Sequence, residues 1–149
     1  MANIDKVKQL RDQTGLSFSE INKALDEAGD DIEKAKALLA ARGANIADKK
    51  SSRQLKAGIV DSYIHSTKKL GVMLELLCET DFVARNEEFQ SLAHELAMHI
   101  SAFKPGNVDE LLSQPFVKDP SQTVKDLINQ RVAKLGENIQ IGRFQILEI

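Results

Sequence analysis

The side chains best suited to chemistry are two histidines in the run His94-Glu95-Leu96-Ala97-Met98-His99. Zinc-protease helices also place a Glu between two His residues, but those His residues are four positions apart, on one face. Here the spacing is five, which turns the second imidazole about 140° round a helix of 3.6 residues per turn. We therefore expect no metal site, with His94 facing solvent and His99 packed at the edge of the core.

Other signals of catalysis are weak. Cys78 lies in an apolar strand, where a thiol is more often inert core than a nucleophile. Gly15, Gly29 and Gly43 each follow a helical pattern and are typical of helix ends, so they form no phosphate-cradling loop. The sequence predicts no catalytic residue, no cofactor and no direct nucleotide binding. A small hydrolase using one of the histidines is the enzyme alternative.

Composition narrows the choice of partners. The chain has 149 residues with a net charge of −2, 42% apolar, 28% charged and 5% aromatic residues. That charge and the scarcity of aromatics argue against nucleic acid as a partner. The single Cys is typical of a reducing compartment, and no apolar run is long enough for a membrane span. We expect a soluble cytoplasmic protein.

One corner organises the second half of the chain. In the strand-like segment Leu70–Cys78 every second residue is apolar, and a helical apolar stripe follows between residues 87 and 103. Thr80 and Asp81, between them, are residue types that cap helices. Phe82 then either staples the corner to the core or points outward as an anchor for a partner. From composition alone the staple is favoured.

Three short helical patterns fill residues 1–43 and must pack together, because each is too short to be stable alone. The third pattern stops at Arg42-Gly43. Residues 44–56 are small, polar and basic, which indicates a solvated linker. We predict that residues 57–149 form a second domain after this linker.

The patterns within residues 57–149 predict an α+β core. A hairpin pairs residues 58–66 with 70–79, and an amphipathic helix covers 121–135 after an irregular loop bracketed by Pro115 and Pro120. The last strand, 138–149, changes its apolar phase at Gly142, which predicts a β-bulge. We expect a three-stranded antiparallel sheet packed with helices, preceded by the three-helix bundle.

The corner Thr80-Asp81-Phe82-Val83-Ala84-Arg85 resembles the hallmark loop of elongation factor Ts. Further similar segments follow in family order along nearly the whole chain. They are Leu10-Arg11-Asp12-Gln13-Thr14-Gly15, Leu76-Leu77-Cys78-Glu79, Ala97-Met98-His99-Ile100, Gln114-Pro115-Phe116-Val117 and Gly136-Glu137-Asn138-Ile139. The resemblance makes the first helices a bundle similar to a ubiquitin-associated (UBA-like) module.

The resemblance implies a guanine nucleotide exchange factor that binds the GDP form of elongation factor Tu and promotes GDP release. Phe82 would be the wedge near the magnesium and phosphate site, with Asp81 its polar companion. The positions implied to contact elongation factor Tu are Thr80, Asp81, Phe82, Val83, Lys8, Leu10, Arg11, Phe18 and His65. The segment around Phe18 departs from the family, where small residues and two Met are common.

The length also departs from the longer family members, which have a second core half and a helical hairpin. Short members act as homodimers, so the resemblance implies a homodimer here. It is also favoured by the mixed second face of Leu70–Glu79, which carries Met73 and Leu77 beside Glu75. A binding module without exchange activity, with a UBA-like bundle and a dimerising core, is the alternative.

Overall fold

Three helices open the chain in the computed structural model, which describes residues 3–149. They are α1 (Ile4–Thr14), α2 (Phe18–Glu27) and α3 (Ile32–Lys50). Asn3, Ser17 and Asp31 cap them by accepting a backbone N–H of the first turn. Their apolar faces meet in one cluster, which confirms the predicted bundle. The buried members are Val7, Leu10, Ile21, Ala24, Leu25, Ala28, Ala35 and Leu39.

The third helix is longer than the sequence predicts. We expected it to end at Gly43, but it continues to Lys50. Gly43 is buried beside Ala133, and it lies within the helix without ending it. Ala47 packs against the second core, and the Lys50 ammonium donates to the Gly136 carbonyl at 3.0 Å. Tertiary contacts therefore extend the helix through the predicted linker.

The remaining chain alternates strands and helices. In order these are β1 (Ala57–Ile64), β2 (Leu70–Cys78), α4 (Asp81–Ala84), α5 (Glu87–Phe103), α6 (Val108–Ser113), β3 (Pro115–Phe116), β4 (Asp119–Thr123), α7 (Val124–Leu135) and β5 (Gln140–Glu148). Between residues 3 and 149, no helix is both long and apolar enough to cross a membrane.

The main sheet has the order β1-β2-β5, with both pairs antiparallel, as predicted. Leu74 pairs with Phe144 and Leu76 with Ile141, so two residues of β5 oppose Glu75. This is the bulge predicted from the phase change at Gly142. It keeps the apolar residues on both sides of the slip facing the core.

One face of the sheet is covered by α5. The alternating apolar residues of β2 are buried together with the apolar stripes of α5 and α7. The apolar faces of strand and helices therefore form one core. The shared cluster includes Val72, Leu74, Leu76, Phe89, Leu92, Leu96, Ile100, Leu127, Ile128 and Val132. This confirms the α+β class.

The segment between Pro115 and Pro120 is more regular than predicted. We expected an irregular loop, but β3 and β4 pair as a small antiparallel hairpin. Phe116 is buried in the core, and the Val117 N–H donates to Nδ1 of His99 at 3.1 Å. Contacts from a distant helix fix this segment, and local composition does not reveal them.

Candidate partner-binding site

The corner between β2 and α5 is built from two successive caps. The Thr80 hydroxyl accepts the Val83 N–H at 3.4 Å, so Thr80 begins the single turn of α4. Two residues after that turn, the Asn86 side chain accepts the Glu88 N–H at 2.8 Å and begins α5. The predicted strand-to-helix corner is therefore present, with a separate one-turn helix at its tip.

Phe82 lies at this tip and is 87% exposed. Val83 and Ala84 occupy the inward side of the turn, and Val83 packs in the same core cluster as Phe89. Successive helical residues differ by about 100°, so burying Val83 directs Phe82 away from the core. The staple interpretation favoured by composition is wrong, because Val83 and Phe89 close the corner without it.

Glu137, which the sequence analysis did not single out, holds the corner from the loop after α7. Its Oε1 accepts the N–H groups of Glu79 and Thr80 at 3.1 and 3.0 Å, and its Oε2 accepts the Thr80 hydroxyl at 2.7 Å. Glu137 lies in Gly136-Glu137-Asn138-Ile139, one of the segments similar to the family, but no local pattern assigns it a role at the corner. Its target, 58 residues earlier, could not be read from the pattern.

The candidate residues of the bundle fall into two groups. Lys8 and Arg11 are exposed, and the Arg11 guanidinium lies 4.1 Å from the ring centre of Phe18, so Phe18 and Arg11 form one cationic and aromatic surface. Leu10, by contrast, is fully buried in the bundle. Leu10 and Val83 were both implied to touch a partner, but their side chains are part of the two cores.

The histidines separate as the sequence analysis expected. His94 is exposed, while His99 is buried with its ring stacked on Phe103. Nδ1 of His99 accepts the Val117 N–H, so its proton is on Nε2, which lies 3.0 Å from the Gln114 amide oxygen. Burial lowers the pKa of His99, so the ring is neutral and structural.

His65 follows β1 and is half-buried, with Nδ1 at 3.2 Å from the Tyr63 hydroxyl. No three His, Cys, Asp or Glu residues form a metal-binding group within the part of the chain that the structure describes. Burial, and secondarily the Glu137 carboxylate, raises the pKa of the Cys78 thiol to about 11. This thiol stays protonated at neutral pH and is a poor nucleophile.

The site is thus an exposed aromatic side chain on a capped corner, an arrangement typical of protein-binding surfaces. Comparison with known proteins identifies the family. The family model described as "Elongation factor TS" matches residues 79–149. Elongation factor Ts of Aquifex aeolicus is 44% identical over 147 residues, covering 95% of this chain and 51% of that protein.

Two further relatives match over most of their own length. Elongation factor Ts of Coprothermobacter proteolyticus is 39% identical, with 93% of each chain covered. That of Thermodesulfovibrio yellowstonii is 41% identical over 93% of this chain and 91% of its own. These two alignments extend over 183 and 182 positions, so the relatives contain residues that this 149-residue chain lacks. The chain belongs to the elongation factor Ts family.

Proposed function

We propose that this protein is a guanine nucleotide exchange factor that binds elongation factor Tu in its GDP form and promotes GDP release. The observation that carries the proposal is the exposure of Phe82, 87%, at a corner whose backbone is capped and hydrogen-bonded. A large aromatic side chain held in water on a defined backbone is typical of an interface anchor. We place its action in the cytoplasm, where translation occurs.

The mechanism is mechanical displacement of contacts in the partner. GDP is retained by charge-assisted bonds to its phosphates and to Mg²⁺, and these weaken steeply when their geometry changes. Inserting the Phe82 ring beside that site separates the contacts, and the binding energy of the interface offsets the cost. No covalent bond changes, and linkage requires that GDP weaken factor binding by the same ratio.

The bundle supplies a second contact in this proposal. Lys8 and Arg11 present positive charge beside the aromatic face of Phe18. Asp81 lies next to Phe82 at the corner, and His65 directly follows β1. Two contacts on one rigid chain act at high effective concentration, so each can be weak while the pair binds well. Since α3 is continuous to Lys50, the bundle is held against the core through α7.

We also propose that two copies pair through the open face of the main sheet. Four apolar side chains on this face are each more than half exposed, and the cross-strand register aligns Ile64, Gly71 and Leu147 in one row. The four are Val60, Ile64, Met73 and Leu147. A stable dimer buries more than about 1,000 Å² in total, which a three-stranded face can supply.

Sedimentation at micromolar concentration tests the pairing. We expect a dimer for the wild type and a monomer for Met73→Asp, which puts a charge at the centre of the face. A monomeric wild type would remove this part of the proposal. Met73 is exposed in the single chain, so its replacement should leave the fold intact.

Release of labelled GDP from purified elongation factor Tu, with and without this protein, tests the exchange function. We expect the wild type to accelerate release, and Phe82→Ala to reduce the acceleration roughly thirtyfold, as for an interface anchor. The matched control is Phe103→Ala. It removes a phenylalanine side chain at the opposite end of α5, a helix whose 17 residues span about 25 Å.

Three outcomes separate the possibilities. Loss of acceleration in Phe82→Ala alone supports the wedge, whereas equal loss in both variants points to a general effect on the fold. No acceleration by the folded wild type would contradict exchange. It would leave the alternative, a UBA-like binding module with a dimerising core.

A further inference from the structure

The backbone at the start of the corner has one external partner that satisfies it. Two consecutive N–H groups, those of Glu79 and Thr80, converge on Oε1 of Glu137, and the Thr80 hydroxyl donates to Oε2 at 2.7 Å. The carboxylate therefore accepts three hydrogen bonds from two adjacent residues. Bonds to a charged acceptor are stronger than neutral ones, and three of them fix both position and orientation.

The contact is reciprocal. The Glu79 carboxylate accepts the Asn138 N–H at 2.8 Å, so Glu79 and Glu137 each bind the backbone of the other segment. Asn138 is itself buried, and its side-chain amide donates to the Arg53 carbonyl at 2.8 Å. Hydrogen bonds in both directions thus join the end of β2 to the loop before β5. The segment after α3 is bonded to the same loop through Asn138.

The corner needs such support because α4 is only four residues long. A single helical turn is unstable by itself, since it fixes several dihedral angles for few hydrogen bonds. Val83 anchors its inner side, whereas the Phe82 side chain is 87% exposed. Val83 keeps Phe82 on the outer side of the turn, and the Thr80 backbone, which Glu137 holds, sets the position of that turn.

We propose that Glu137 is a positioning residue for Phe82: it orders the Thr80 backbone so that the aromatic ring is already aimed at the partner before binding. This inference rests on the proposed exchange function. Ordering the corner in advance removes an entropic cost from binding and from the displacement step. Glu137 itself need not touch the partner.

Four proteins test this: wild type, Glu137→Ala, Glu137→Gln and the control Asp126→Ala. Asp126 is matched because its carboxylate also accepts a backbone N–H, that of Thr123 at 3.0 Å, but in the capping box of α7. Amide hydrogen exchange of Glu79 and Thr80 in the free protein reports the order of the corner. Stimulated GDP release at saturating factor reports its use.

We expect Glu137→Ala to speed amide exchange at Glu79 and Thr80, and to lower the maximal release rate about tenfold, equivalent to one charge-assisted hydrogen bond. Glu137→Gln keeps one carbonyl oxygen for the two N–H groups and should recover much of both. Asp126→Ala should alter neither. In a Phe82→Ala background, Glu137→Ala should have little further effect, because residues acting through one another are not additive.

Unchanged amide exchange in Glu137→Ala would overturn the ordering, and this readout needs no partner protein. Faster amide exchange with an unchanged release rate would overturn the link to Phe82, as would full additivity in the double variant. If the wild type itself fails to accelerate GDP release, the proposed function falls while the ordering of the corner is still judged by amide exchange.

Discussion

Phe82 and Phe89 lie seven residues apart in one segment of the chain, and the fold treats them in opposite ways. Each is in the first turn after a capping residue, Thr80 for one and Asn86 for the other. Phe82 is 87% exposed and Phe89 is 0% exposed. The same residue type, in the first turn after a cap in both cases, is therefore exposed at one place and buried at the other.

The difference follows from position relative to the cap. Phe89 is the third residue after its cap, and the third residue after Thr80 is Val83, which is also buried. Phe82 is the second, so it is turned by about 100° from the inward direction. Burial at these caps is set by a one-residue offset, and hydrophobicity alone does not predict it.

The largest expected effect comes from Phe89→Ala, which should reduce the free energy of unfolding by about 3–5 kcal/mol by leaving a cavity in the core. Chemical denaturation measures it. If the stability stayed within about 0.5 kcal/mol of wild type, the contrast with Phe82 would have no energetic basis.

Thr80→Ala should cost about 1–2 kcal/mol, because it removes a helix cap and the hydroxyl bond to Glu137. Asn86→Ala is the matched control, since Asn86 caps α5 through one backbone N–H. We expect Thr80→Ala to reduce stimulated GDP release more than Asn86→Ala does. The reverse order would show that the cap of α5, and not the Glu137 contact, sets the corner.

The pH dependence of stability tests the burial of His99 on α5. Its pKa is lowered by burial from the ordinary value of 6.5, so the unfolded chain binds the proton more readily than the folded one. Stability should be fully present above pH 6.5 and fall as the pH drops below it. Melting curves from pH 7.5 to 5 should show a shallower slope for His99→Gln than for wild type. Equal slopes would exclude His99 as the cause.

The smallest effect is expected for the stability of Phe82→Ala, within about 0.5 kcal/mol of wild type, since the ring is 87% exposed. Denaturation of the same sample used for GDP release measures it. A loss comparable to that of Phe89→Ala would mean that Phe82 packs inward in solution, and the contrast would disappear.

Most of the fold could be predicted from local patterns that repeat along the sequence. The alternation in β2, the stripe of α5 and the phase change at Gly142 each depend on neighbours a few residues away, so they predicted the sheet, the helix and the bulge. The resemblance marked Phe82, although composition favoured the wrong orientation. The staple and the outward anchor are both compatible with the local sequence around Phe82. They differ only in which side chain of the turn packs on the core.

Long-range contacts decided the rest. Beyond Gly43, α3 contacts the second core through Ala47 and the Gly136 carbonyl through Lys50. The β3–β4 hairpin is bonded to His99 through the Val117 N–H. The Thr80 N–H at the corner donates to Glu137, 57 residues away. In each case a partner brought close by the fold adds contacts that the local sequence does not supply. Such partners are not visible in a local pattern, because their separation along the chain bears no relation to the period of a helix or a strand.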